Sequence, residues 1–235
     1  MILKMDILVT TQSIFLVFAG IRLKGETNMS KPIYEMYVVN HNLVATQANK
    51  ALSEAQSKAI WDQHKAAEQA TGVKDLFYCN SAWADEMHPE WGVARYPDLQ
   101  ARIEHTRLHQ KAGFLDLVDA FSLLGTSETE PEAVTVPNPI YKLWILKNNP
   151  ATAFTYKNPK GLEALMWEKH NALYKQYGGQ HILYCDSTWC NEAYQGFGIS
   201  AYPDVEANMK IMAGLNELGW PGYFEVISYL GISSM

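Results

Sequence analysis

A shift of 106 residues lays this chain on itself without a gap, from Lys58 on Ala164 to Gly125 on Gly231. The shift brings uncommon residues together. Trp61 meets Trp167, His64 meets His170, and Tyr78-Cys79-x-Ser81-x-Trp83-x-x-Glu86 meets Tyr184-Cys185-x-Ser187-x-Trp189-x-x-Glu192. Further on, Gly92 meets Gly198, Tyr96-Pro97-Asp98 meets Tyr202-Pro203-Asp204, Gly113 meets Gly219, and Gly125 meets Gly231. A period this long exceeds the stacked units of solenoids, so each copy is expected to be a small folded unit. Units of roughly 95 residues bury only a modest share of their surface, and two in one chain are expected to share an interface.

The organisation expected is an N-terminal extension over 1–30, a first repeat over 31–125, a linker over 126–138 and a second repeat over 139–235. The extension holds an apolar run, Ile7 to Gly20, broken by Thr10-Thr11-Gln12-Ser13 and too short to span a bilayer. It reads as an upstream start or frayed extension, with a weak signal peptide as the alternative. The linker carries Glu128, Glu130, Glu132, Pro131, Pro137 and Pro139, too polar and proline-rich for a core segment.

Each repeat opens with a strand rich in aromatic and β-branched residues, Ile33 to Asn40 and Ile140 to Lys147. A helix follows, Ser53 to Gln69 stopped by Gly72, or about Lys160 to Tyr177 before Gly178-Gly179. Next come strands over Leu76 to Trp83 and Ile182 to Trp189, then shorter ones over Trp91 to Tyr96 and Phe197 to Tyr202. Pro97-Asp98 and Pro203-Asp204 start second helices that end at Gly113 and Gly219. Last strands over Leu115 to Leu124 and Tyr223 to Leu230 complete β-α-β-β-α-β, twice. Two such crossovers give a four-stranded antiparallel sheet with both helices on one face. The fold class predicted is therefore α+β: a tandem ferredoxin-like unit whose two sheets pack face to face.

This order and repeat resemble the dimeric α+β barrel superfamily in its fused, two-repeat form. The Gly92-Val93-Ala94-Arg95-Tyr96-Pro97-Asp98 stretch resembles that of uncharacterised bacterial barrel proteins. Proteins of this architecture include cofactor-free monooxygenases, polyketide cyclases, EthD-like proteins and haem enzymes such as chlorite dismutases. The fold does not choose among them.

Composition narrows the partners. A net charge of -6 with no Lys/Arg cluster argues against nucleic acid and anionic membranes. The expectation is a cytoplasmic intramolecular pseudo-dimer that binds a small molecule, with further homodimerisation left open. Three cysteines do not make a disulfide framework, and Cys79 and Cys185 fall within strands. The nucleotide-binding, serine-hydrolase and zinc-protease signatures are absent.

The candidate catalytic residues are His64 and His170. Each lies three residues after a Trp, Trp61 or Trp167, so that the pair shares a helix face and can look toward the sheet. A buried imidazole there would have a lowered pKa and could act as a base. Tyr78, Ser81, Trp83, Tyr184, Ser187 and Trp189 are the candidate substrate-binding residues with the two Trp. In the strands, Phe77, Cys79, Leu183 and Cys185 are expected to face the helices. Asp119 and Glu225, at matched positions among aromatics, are candidate desolvated bases or water-exposed strand-end acids. His105-x-x-x-His109 has the spacing of two metal ligands on one helix turn. With no third ligand positioned by sequence, the polar run Arg102 to Lys111 reads as a solvated helix face, and no metal site is assigned. The expected function is cofactor-independent acid-base chemistry on a small aromatic or apolar substrate, of monooxygenase or cyclase type. The alternatives are a haem-binding oxidoreductase and a non-catalytic ligand-binding or assembly module.

Overall fold

The computed structural model describes residues 31–147, 160–222 and 224–235. The expectations for the N-terminal extension lie outside them. The elements run β1 (Ile33–Val39), α1 (Leu43–Ala51), α2 (Glu54–Thr71), β2 (Lys74–Asn80), β3 (Glu90–Tyr96), α3 (Leu99–Lys111) and β4 (Ala120–Gly125) in the first half. The second half carries β5 (Ile140–Lys147), α4 (Lys160–Tyr177), β6 (Gln180–Asp186), β7 (Tyr194–Tyr202), α5 (Val205–Glu217) and β8 (Glu225–Ser233). Helix α1 has no counterpart among the expectations, and Trp83 lies in the turn after β2 rather than in a strand.

The helix ends follow from their terminal residues. Ser53 caps α2 through a box with Gln56, and Gly72 closes it at a φ of 66° that an L side chain rarely adopts. Asp98 and Asp204 accept from the amides of Ala101 at 2.8 Å and Ala207 at 2.7 Å. Each carboxylate thereby satisfies an amide that α3 or α5 leaves open in its first turn.

All strands pair antiparallel in the order β4-β1-β3-β2-β8-β5-β7-β6. The two four-stranded sheets face each other and also join at their edges. One seam pairs Cys79 with Ser233 and Asn80 with Ile232, and the other is a bridge between Thr126 and Asp186. The eight strands thus close on themselves. Closure ties both sheet edges at these short seams, and eight strands enclose a space that side chains alone can fill. Tyr34, Met36, Trp91 and Val93 fill it from one half, and Leu143, Phe197 and Ile199 from the other.

Phe77, Cys79, Leu183 and Cys185 belong to this interior core. The expectation that they face the helices is reversed. The reason is that the two sheets pack their apolar faces on each other and enclose the larger core; in addition, β2 carries a β-bulge between Asp75 and Phe77, repeated in β6 between His181 and Leu183. One extra residue inverts the alternation, so Asp75 and His181 stand on the helix side although they are two residues from interior positions. The 126–138 segment runs beside β6, where Glu132 N donates to Ile182 O and Gln180 Nε2 to Ala133 O.

Candidate functional site

Two related clefts lie between the helices and the outer face of the barrel, and they carry different chemistry. In the first half, α2 presents His64 and α3 presents His105 and His109 to one point. One nitrogen from each ring falls within 4.8 Å of the other two. His105 and His109 are each 7% exposed. The solvated face expected for Arg102 to Lys111 is therefore a buried one at these two positions. His64 turns inward beside them because Trp61 packs edge-on against it and Phe114 stacks on it at 4.7 Å.

The hydrogen bonds around the three rings assign their protons. Arg102 donates to Glu35 Oε1, and Tyr96 donates its hydroxyl proton to Glu35 Oε2 at 2.9 Å. The Tyr96 oxygen, having spent its proton, accepts from His105 Nδ1 at 3.1 Å. His105 Nε2 is then a lone pair, buried and without a hydrogen-bond partner. His64 Nδ1 lies 2.8 Å from His109 Nε2, and its other nitrogen lies 3.2 Å from Glu68 Oε1. Burial, then the neighbouring positive charges, pushes His105 down to about 3 and His109 down to about 4. Burial also lowers His64. All three are neutral imidazoles near pH 7, the form that binds metals.

The second half replaces this set. Ile211 and Leu215 stand where His105 and His109 stand, Lys142 where Glu35 stands, Asn208 where Arg102 stands, and Tyr174 where Glu68 stands. His181 takes the place of Asp75. Tyr174, His181, His170 and Trp220 form a stack, with His170 4.8 Å from His181 and 4.6 Å from Trp220. Burial lowers His170 to about 3 and His181 to about 4, and it lowers the buried Lys142 to about 8. Ser200 Oγ accepts from Trp144 Nε1 at 3.0 Å and lies 3.2 Å from His181 Nδ1. His181 Nε2 is buried with no hydrogen-bond partner. Beside it opens a cavity of about 440 Å³ walled by Trp144, Leu146, Trp167, Tyr184 and Phe224.

The residues singled out from sequence separate accordingly. Trp61 with His64 and Trp167 with His170 form the predicted pairs, at ring separations of 5.3 and 5.1 Å. Trp167 and Tyr184 line the cavity, whereas Tyr78 stands in β2 of the other half. Ser81 and Ser187 are wholly buried in the loops after β2 and β6, where Ser81 Oγ donates to His88 O. Trp83 and Trp189, 46% and 45% exposed, sit in those same loops. These four are loop residues and not part of either cleft wall described above. Asp119 accepts from Asn40 and Asn42, which lowers its pKa, and Glu225 pairs with Lys147 at 2.7 Å. Both are exposed or half-exposed strand-end acids, so the desolvated-base reading of them is withdrawn. Sequence reasoning does not single out His181, Glu35 or Lys142, and it gives Tyr96 and Arg102 no role at a site. A signal existed, since each differs in chemistry from its 106- or 107-residue partner or neighbours one that does.

No family model matches the chain, and no curated protein matches it. Solved structures do. A chlorite dismutase from Candidatus Nitrospira defluvii in complex with imidazole is 10% identical, with a TM-score of 0.65 over 86% of this chain and 91% of that one. A variant of that enzyme in complex with cyanide gives 10%, 0.66, 86% and 91%. At this identity the likeness is one of fold, and the chain has the dimeric α+β barrel fold. Among the described residues, no helix is long and apolar enough to cross a membrane.

Proposed function

We propose that the second-half cavity holds a haem and that the protein is a haem-binding oxidoreductase. One observation carries this reading: an aromatic-walled cavity of about 440 Å³ that is lined by a neutral imidazole, His181, whose Nε2 has no partner. The walls suit a flat, mostly apolar group. In the tautomer that donates Nδ1–H to Ser200 Oγ, the Nε2 lone pair is free, which is the arrangement metal-bound histidines take. The first half fits the same group poorly, because its three imidazoles converge on one point rather than lining a flat slot. The shared fold with chlorite dismutases adds support.

A bound haem would supply one-electron and oxygen chemistry. The chain's own residues would do the rest. His181 would hold the group, and Ser200, itself held by Trp144, would orient the ring. Trp144, Trp167 and Phe224 would exclude water, which strengthens electrostatic interactions within the site. Cofactor-free acid-base chemistry is less well supported. With its pKa near 3, His170 takes up few protons at neutral pH, and His64 is engaged by His109 and Glu68.

The test is a titration of hemin into tag-free protein, followed in the visible spectrum. One equivalent is expected to give a Soret band, which His181→Ala abolishes or weakens at least tenfold while His64→Ala leaves it unchanged. Absence of the band in the wild type, or an unaltered affinity in His181→Ala, overturns the reading.

A further inference from the structure

The first half, whose cleft the haem reading does not use, supports a separate site. We propose that His64 Nδ1, His105 Nε2 and His109 Nε2 bind one divalent first-row transition ion between α2 and α3, with water completing its coordination. Three nitrogens within 4.8 Å of one another are close enough for a single ion, at about 2 Å from each, to draw them together by side-chain rotation. Three imidazoles with an open position form a donor set suited to zinc, iron, cobalt, nickel or copper rather than to calcium or magnesium.

The surrounding groups are those that prepare imidazoles for a metal. A ligating histidine ordinarily donates its second ring N–H to a carboxylate or another oxygen. His64 directs its second nitrogen at Glu68, and His105 donates to Tyr96, which is anchored on Glu35. Arg102 holds Glu35 in turn. These chains leave lone pairs on His64 Nδ1 and His105 Nε2; His109 Nε2 donates its proton to His64 Nδ1 in the metal-free protein and would lose it, by moving to the tautomer protonated at Nδ1, when the ion binds. His64 is about one-fifth exposed, which leaves a path from solvent.

The other half supplies an internal control. Its equivalent positions hold Ile211, Leu215, Asn208 and Lys142, and it forms the corresponding four strands and the helices α4 and α5 that match α2 and α3. The fold therefore does not require imidazoles at 105 and 109. A scaffold role would be met by aliphatic side chains, as it is in α5, without an orphaned nitrogen in the interior.

The experiment is a titration of tag-free, chelator-treated full-length protein with Co²⁺ alone, read by its visible absorption and by calorimetry, with Zn²⁺ as competitor. The expected result is one equivalent bound, displaced by Zn²⁺, with affinity reduced at least 100-fold in His105→Ala and in His109→Ala. His181→Ala is expected to bind cobalt as the wild type does, so failure of this site and failure of the haem reading are told apart. If an alanine variant does not fold, His105→Gln and His109→Gln, judged by their near-ultraviolet circular dichroism, take its place. Absence of stoichiometric cobalt binding in the wild type overturns the proposal. So does binding that survives in a folded variant carrying both His105→Gln and His109→Gln.

Discussion

His105 in α3 and Ile211 in α5 occupy matching positions, and the contrast shows what single residues contribute here. Ile211 is fully buried in an apolar cluster, whereas His105 is held in one tautomer by Tyr96 and Glu35. Replacing Tyr96 by Phe removes that hold. Cobalt affinity is expected to fall about 10-fold, the lower end for lost outer-shell partners, with the metal-free melting temperature little changed. Breaking the buried pair is a different matter. Arg102→Ala strands Glu35, which is 7% exposed, and is expected to cost about 3 kcal/mol in urea unfolding. The depressed histidines also set a pH dependence. His170 and His181 have folded-state pKa values of about 3 and 4 against 6.5 when unfolded, so the unfolded chain binds more protons below that value. Stability is thus fully present above about pH 6.5 and is lost as the pH falls toward 4, at up to about 1.4 kcal/mol per pH unit for each group. Urea melts between pH 7 and pH 5 check this, and His170→Phe is expected to flatten the slope by that amount.

At the scale of elements, the matched residues of the two halves mostly serve the seams and bends of the barrel. A methyl group on Gly125 would lie 2.7 Å from Cys185 Cβ, and one on Gly231 would lie 2.7 Å from Cys79 Cβ. Glycine meets cysteine where one half's last strand crosses the other half's second strand. The thiols are buried there, and Cys79 is pushed up to about 12, which leaves it unreactive. Gly125→Ala and Gly231→Ala are each expected to lose about 1 to 3 kcal/mol, measurable by chemical denaturation, because the backbones cannot separate without opening the seam. The face assignment failed because an apolar strand face does not say whether helices or a second sheet will cover it. Strand periodicity reads every second residue onto one face, and a single inserted residue at Leu76 or Ile182 inverts it without any compositional mark. Simple alternation puts His181 on the same face as Leu183, and the bulge separates them.

At the scale of the whole molecule, one interior core drawn from both sheets makes the halves interdependent. A single cooperative thermal transition is expected, with near- and far-ultraviolet circular dichroism coinciding; two separated transitions would contradict the shared core. The 106-residue offset, the helix caps and the order of the main elements along each half were legible in the chain because they rest on local chemistry: glycine at positive φ, aspartate at helix starts, β-branched runs. The Trp-His pairs were legible too, since residues three apart on a helix share a face whatever surrounds them. Tertiary structure alone decided which sheet face became the closed interior, that the sheets join at their edges, and that His105 and His109 turn inward to meet His64. Those outcomes depend on contacts between residues 41 to 45 positions apart, and on seams that join β2 to β8 and Thr126 to Asp186. No local pattern encodes such distances, because they exist only after the helices have packed on the barrel and excluded water from between them.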